Sequence, residues 1–415
     1  MTKTIYCTIA TASALPQVSV LRDSLLAHGV AELRVLLLEH PARVAKLRAQ
    51  LPELHLLSPS QLGCPRWLQL AFAGEAAELT AALKPALLAT LLAEGNVVYF
   101  DPEIEIFSPL TEIEAALAQS DVVVTPHVSR PLPDDGKTPA LADVLAGGQF
   151  NLDFVGVRKS SDSAALLAYW QQLLTDPPGG ADSEVPSGDG FWAAAFASLV
   201  ERLRVLRGDR FHVAAWNLAQ RPLQWDDTAA PQTADGAVVF LSYAGLHKTA
   251  APRRPQNRFT IEPGSPLQRL IARYEERVSA SAYQPFTAQP YSFHCYTDGT
   301  PIPLLHRQAF ARLSPPNRRA ILNPFCERPF LEEVVARSPA LRYPATQDAV
   351  ARCAELERRL NTLPHSLFGH AANAMDLALP GSRDRVYRLM QIVSSRYGQS
   401  LGQKAGYLKQ ILLRS

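Results

Sequence analysis

Short, predominantly apolar runs, alternating with segments of helical spacing, constrain this chain most. "TIYCTIA" (4–10), "ELRVLLL" (32–38), "VVYF" (97–100), "DVVVT" (121–125) and "FVGV" (154–157) show no polar alternation, so strands here need cover on both faces. Between them, "QVSVLRDSLLAH" (17–28) places Val18, Val20, Leu21 and Leu25 at near-helical spacing and stops at Gly29, and a second helix is expected over roughly 75–93. Repeated strand, helix, strand order predicts an α/β fold with a mixed, mostly parallel, Rossmann-like sheet and helices on both faces. Such sheets bind ligands outside the carboxyl ends of their strands. No G-x-G-x-x-G follows the first strand, which leaves a dinucleotide-binding enzyme without support.

Attention therefore falls on "VVYFDPEIEIF" (97–107), where a buried-looking strand runs into Asp101, Pro102 and Glu103. With an extended backbone, residues 101 and 103 project to the same side. Pro102 lacks an N–H, which suits a strand leaving its ladder. Two carboxylates facing one spot repel unless a cation or donor groups offset the charge. The competing reading is a solvated pair of acids on a loop.

The remaining composition sets bounds. At 415 residues the chain is long enough for two or three domains, or one large domain with additions, and a formal charge of +2 argues against a general polyanion binder. Thirty-three prolines against 22 glycines predict stiff turns in place of flexible linkers. The five cysteines are scattered without the paired spacing of zinc sites or disulfide frameworks, which predicts a reducing compartment. With no apolar stretch near the ~18 residues of a membrane span and no signal-like start, a soluble, cytoplasmic protein is expected.

The strand ends carry a resemblance to a known family. "YCTIATASALPQVSVLRDSL", "LKPALLATLL", "VVYFDPE", "TPHVSRPLPDDGK", "FNLDFVGV", "SGDGFW" and "SYAGLHK" resemble, in order over residues 4–250, the motifs of nucleotide-sugar-dependent glycosyltransferases of the GT-A fold, in the glycogenin-like and lipopolysaccharide galactosyltransferase-like group. The resemblance implies a GT-A glycosyltransferase domain over 1–255 and a mainly helical region over 256–415 for acceptor, dimer or membrane contact.

It also implies roles. Thr8, Ala10 and Thr11 would lie against base and ribose, and Lys84 near the diphosphate or the sugar. Asp101 and Glu103 would hold a divalent cation, Mg²⁺ or Mn²⁺, that neutralises the departing diphosphate. Asn151 would hydrogen-bond donor-sugar hydroxyls, while Asp189 and Asp153 are the catalytic candidates. Lys248 would close on the phosphates with the turn at Gly245 permitting the approach, and His247 is placed with it among the donor-binding residues.

Four positions depart from the family pattern. Its second metal aspartate is Glu103, its metal histidine falls on Ser242, its F-N-x-G glycine is Asp153, and its D-Q glutamine is Gly190. Metal-assisted transfer and metal-free transfer, with Lys84, Lys248 and Arg130 meeting the phosphates, both stay open. The loop 127–137, with Arg130, Asp134, Asp135 and Lys137, is either a rigid polar turn or a wall of the acceptor site. "RFHVAAWNLAQRPL" (210–223) reads as strand then turn, with Trp216 and Asn217 either lining the same cleft or anchoring the core.

Beyond about residue 255 the parallel-sheet rhythm stops. "YSFHCYTDGTPIPLLHRQAF" (291–310) is expected to turn at Asp298-Gly299 and to place Arg307 on the next helix, and helical patterns continue over 345–363 and in the terminal stretch. Residues 383–415 hold seven Lys or Arg against one acid, Asp384, so a basic helical tail could rest on an anionic inner membrane face, form a dimer, or be solvated.

The function expected from all this is transfer of a sugar from a nucleotide diphosphate to a glycan, lipid-linked, protein or small-molecule acceptor. The alternative is a non-catalytic scaffold that binds a nucleotide sugar or glycan.

Overall fold

A computed structural model describes residues 3–176, 189–227, 229–246 and 257–337, with Asp189 described by its backbone alone. The chain divides into two compact units, Met1–Val335 and Ala336–Ser415, and nearly all described residues belong to the first. In chain order the strands are β1 (Thr4–Ala10), β2 (Leu33–Leu37), β3 (His55–Leu57), β4 (Asn96–Phe100), β5 (Ile104–Ile106), β6 (Val122–Pro126), β7 (Phe150–Val157), β8 (Leu203–Val205), β9 (Gln232–Thr233), β10 (Gly236–Ala237) and β11 (Phe240–Ser242).

Among the described residues, seven strands form one sheet in the order β3-β2-β1-β4-β7-β6-β8, while β5 pairs with β11 and β9 with β10. The sheet is mixed and mostly parallel, as the apolar runs predict. Within it, β7 alone runs against its neighbours β4 and β6.

The central strands feed two cores. In β1, Ile5, Cys7 and Ile9 face one cluster and Tyr6 and Ala10 the other; in β4, Val97 and Tyr99 oppose Val98 and Phe100. Helices Ala76–Leu92 and Ser161–Thr175 cover the first face, through Leu83, Leu87 and Trp170, while Leu15–Ala27, Pro41–Gln50 and Thr111–Gln119 cover the second. Full burial of each large apolar side chain contributes about 1.5–3 kcal/mol, which is why these strands tolerate no polar alternation. Local signals set the helix ends. Ser160 caps Ser161–Thr175 by accepting the Ser163 N–H, and the predicted stop after Ala27 falls where Gly29 takes φ +87°, a left-handed conformation open to glycine.

Residues 257–337 build on the same unit. Helix Pro266–Ser279, capped by Ser265, buries Leu267, Leu270, Ile271 and Tyr274 at helical spacing against Val213, Leu241 and Tyr243. The turn expected at Asp298-Gly299 is present, with Gly299 at φ +83°, and Arg307 lies on helix Leu304–Arg312.

Arg307 is 5% exposed and donates to the carbonyls of Phe72 (2.7 Å), Gly74 (3.1 Å) and Phe293 (2.6 Å). It thereby satisfies the orphan acceptors at the carboxyl end of helix Trp67–Ala73, where a cation also meets the helix dipole. Arg307→Met is expected to cost about 3 kcal/mol, since it strands several buried carbonyls at once. A urea midpoint shifted by under a third of that would refute the anchoring role.

The helical patterns at 345–363 and the basic tail 383–415 lie outside the described residues. Among those described, no helix is long and apolar enough to cross a membrane.

Candidate active site

The carboxyl end of β4 turns sharply. The Ile104 N–H donates to the Asp101 carbonyl at 3.1 Å, closing a four-residue turn over Pro102 and Glu103 before β5 begins. The backbone is thus not extended from 101 to 103, and strand alternation does not bring the two acids to one side. Proline explains the difference: its fixed φ suits the second position of a turn, and it offers no N–H to prolong the ladder.

Asp101 faces β7 instead. Its N–H donates to the Asp153 carbonyl at 2.8 Å and its carboxylate accepts the Tyr99 hydroxyl. This meeting depends on the reversed direction of β7, which brings Asn151 and Asp153 to the sheet edge where β4 ends. Asn151 is 4% exposed; its Oδ1 accepts the Asp153 N–H at 3.1 Å, while its buried Nδ2 has no hydrogen-bond partner among the described residues. Lys84, 4% exposed, donates to the Leu152 carbonyl at 2.8 Å and stands 4.7 Å over the Tyr99 ring. Lys84, Tyr99, Asp101, Asn151 and Asp153 therefore form one linked group.

Glu103 enters from the other side of the turn. β5 and β11 pair antiparallel with Ile104 opposite Ser242, and the Glu103 carbonyl accepts the Tyr243 N–H at 2.9 Å. Burial, then the charges of Glu103 and Glu105, push the Tyr274 hydroxyl well up from its ordinary value. Ser242 is fully buried, and its hydroxyl reaches the Asp153 carboxylate at 3.4 Å.

The β1 residues lie one strand over. Thr8 is fully buried, shares by alternation the face of Tyr6 and Ala10, and has no partner for its Oγ1 among the described residues. The Ala10 carbonyl accepts the Leu38 N–H, and the Thr11 hydroxyl pairs with that of Ser13 at 2.9 Å. None of the three hydrogen-bonds to the acid group. Asp189 opens helix Asp189–Ala193, but its side chain lies outside the described residues, as do His247 and Lys248 entirely.

Several neighbours are committed elsewhere. The Arg130 guanidinium binds the Asp209 carboxylate and donates to the Gln220 carbonyl at 2.6 Å, and Asp135 pairs with Arg258 at 2.9 Å, so two of the four charges of the 127–137 loop brace it. Residues 210–223 do not form a strand; Val213 alone bridges to Leu241. The buried Asn217 amide folds the segment by serving the Ala214 N–H and the carbonyls of His127 and His212. Trp216 is half-buried against His127, with ring centroids 4.4 Å apart. At Gly190 a Cβ would stand 2.2 Å from the Gly147 carbonyl oxygen, and at Gly148, φ +95°, one would stand 2.1 Å from the Gly190 carbonyl oxygen. Backbone fills the space a side chain at 190 would need.

Sequence reasoning passed over His212, 3.9 Å from the Asp153 carboxylate, and Glu105, whose two partners on helix Pro266–Ser279 are described below. His212 carries no motif and lies 59 positions from Asp153. Glu105 carried a faint signal, as a third acid inside an otherwise apolar β5.

Among the described residues no group of three or more His, Cys, Asp or Glu side chains is arranged to hold a metal ion. The donors at hand are oxygens, from Asp101 with Glu103 behind the turn, and the buried side chain at 242 is a hydroxyl already directed at Asp153. That set fits Mg²⁺, which takes one or two carboxylates beside phosphate oxygens and water, better than a cation that favours imidazole.

No family model and no curated protein matches the chain. Among solved structures it is similar to the glycosyltransferase GlyE of Streptococcus pneumoniae TIGR4 (13% identity, TM-score 0.39), covering 69% of this chain and 63% of that one. It is similar also to the galactosyltransferase LgtC in complex with donor and acceptor sugar analogues (13%, TM-score 0.39, covering 68% and 96%). A third is the bifunctional glycosyltransferase WbbM (12%, TM-score 0.40, covering 69% and 51%). The chain thus spans under two thirds of the length of GlyE and about half that of WbbM.

Proposed function

We propose that this chain is a GT-A glycosyltransferase that moves a sugar from a nucleotide diphosphate to a hydroxyl of a glycan, lipid-linked, protein or small-molecule acceptor. The observation that carries the reading is the convergence of Asp101, Asn151 and Asp153 on one sheet edge, half-buried or buried, where the buried Asn151 Nδ2 has no hydrogen-bond partner among the described residues. An unpaired buried donor costs about 1–3 kcal/mol, a cost that a ligand hydroxyl removes.

In this reading the bond from the anomeric carbon to the phosphate oxygen breaks, its electron pair leaving with the diphosphate, as a bond forms to the acceptor oxygen. Asn151 and Asp153 align hydroxyls, and Asp153 or Asp189 takes the acceptor's proton if the anomeric centre inverts. Buried Lys84 sets a positive potential beside Asp101, and Lys248 would meet the phosphates, with His247 beside it among the donor-binding residues. Asp101 would hold Mg²⁺ together with diphosphate oxygens and water, and the ion when bound stabilises the leaving diphosphate. Thr8, Ala10 and Thr11 serve the nucleoside.

A thermal-shift series with UDP-, GDP- and dTDP-sugars, with and without Mg²⁺ or Mn²⁺, tests this. One base is expected to stabilise the chain, by about 2.7 kcal/mol at a hundredfold excess over Kd. The absence of both a shift and slow sugar hydrolysis with every donor tried would sink the reading.

Two features favour the second reading, a binding scaffold: the hydroxyl of Ser242 at the family's histidine position, and the absence of room for a side chain at Gly190. It predicts donor binding without turnover.

A further inference from the structure

His212 is fully buried on a segment that is not a strand, and it takes φ +52°, a left-handed conformation uncommon for any residue with a side chain. Its carbonyl accepts from Asn217 Nδ2 at 3.1 Å and Arg221 Nη1 at 3.0 Å, which holds the backbone there. Strained positions persist where the surroundings over-determine them, and they cluster at functional sites. The ring packs 5.1 Å from that of Phe240, with Nδ1 2.6 Å from the Thr125 hydroxyl on β6. The other nitrogen, Nε2, is buried without a hydrogen-bond partner among the described residues and lies 3.9 Å from the Asp153 carboxylate, the oxygen that also meets Ser242.

We propose that His212 is a positioning residue for Asp153: Thr125 holds its tautomer, and its Nε2–H faces the carboxylate. The proposal rests on the reading above, in which Asp153 meets the substrate. Two tautomers compete. With the proton on Nδ1, the Nε2 lone pair would face a carboxylate and be repelled. With the Thr125 hydroxyl donating to Nδ1, the proton sits on Nε2 and the ring's positive end meets Asp153. The ring stays neutral, because burial first, and then the charges of Arg221 and His127, hold its pKa well below the usual histidine range.

A neutral donor suits this position. Asp153 and Asp101 are neighbours across β7 and β4, and two adjacent carboxylates need some compensation. At 3.9 Å the oriented imidazole lies beyond hydrogen-bond distance and acts on the carboxylate through its dipole, beside the Ser242 hydroxyl that reaches the same oxygen.

Nitrogen-15 NMR of the full chain labelled at histidine reads the tautomer directly, with His212→Asn identifying the signal; asparagine tolerates the same φ. The expected signal is a neutral Nε2–H imidazole whose resonance moves in Asp153→Asn and becomes tautomerically mixed in Thr125→Val. An Nδ1–H tautomer, an imidazolium, or a resonance indifferent to Asp153→Asn would overturn the proposal whether or not the chain transfers sugar.

In turnover, His212→Asn and Thr125→Val are each expected to lower kcat by about 10-fold, in the middle of the range for coupled neighbours, with donor KM little changed. The Asp153→Asn/His212→Asn double variant is expected to be no slower than Asp153→Asn. If the two losses multiply, His212 acts independently of Asp153 and the assignment fails. Should Asp153→Asn turn over like the parent chain, the assignment fails with it while sugar transfer itself stands.

Discussion

Asp101→Asn is expected to lower sugar transfer by about 10²–10³-fold, the range seen when one preorganised electrostatic contact is removed from a reacting centre. The substitution is nearly isosteric, and its remaining oxygen still accepts the Tyr99 hydroxyl, so the β4 end and the turn that follows retain their hydrogen bonds. What disappears is the negative charge beside Asp153 and Lys84. Stability is accordingly expected to stay within about 1 kcal/mol of the parent chain. Donor affinity by calorimetry and turnover by product release separate the two readings of function. Retained binding with lost turnover supports catalysis, whereas a variant indistinguishable from the parent in every measurable activity supports the scaffold.

The second large effect is on stability. Glu105 is 2% exposed and accepts Arg273 through both oxygens at 2.7 and 2.8 Å, Arg277, and the Tyr243 hydroxyl at 2.9 Å. It ties β5 to helix Pro266–Ser279, and through Tyr243 to the end of β11. Glu105→Ala leaves two guanidinium groups facing each other over a void. Breaking a fully buried pair costs about 3–5 kcal/mol; here Arg273 and Arg277 keep about a third of their side chains in solvent, which lowers the expected loss to about 3 kcal/mol. Glu105→Gln keeps an acceptor but no charge and is expected to lose about half as much. The readout is the urea midpoint at constant m-value. A loss below about 1 kcal/mol for the alanine variant would show that solvent screens the network.

The sheet was legible because strands covered on both faces cannot alternate, so "NVVYF" and "DVVVT" announce themselves through hydrophobicity alone. The three-residue strands β3 and β8 were not, since three residues carry too little pattern to stand out from a loop. The direction of β7 was hidden for a different reason: an apolar run reads the same in either direction of the sheet. Asp101 and Asn151 could be picked out by their places at strand ends and by the family resemblance. Their meeting could not, because it needs an antiparallel neighbour. The D-P-E stretch was misjudged for want of weight on proline's fixed φ, which favours a turn as much as a strand exit.

His212 and Glu105 mark the remaining gap. Glu105 finds its partners 168 and 172 positions away, and His212 meets Asp153 only after Asn217 and Arg221 fold its segment back on itself. The order of amino acids by itself determined which segments had to be buried and where the chain had to turn, because hydrophobicity, proline and glycine act within a few residues. Which strand end faces which, and therefore which charges share one pocket, was decided only by the tertiary structure, because electrostatic contact depends on distance in space and the chain encodes no such distance between residues far apart along it.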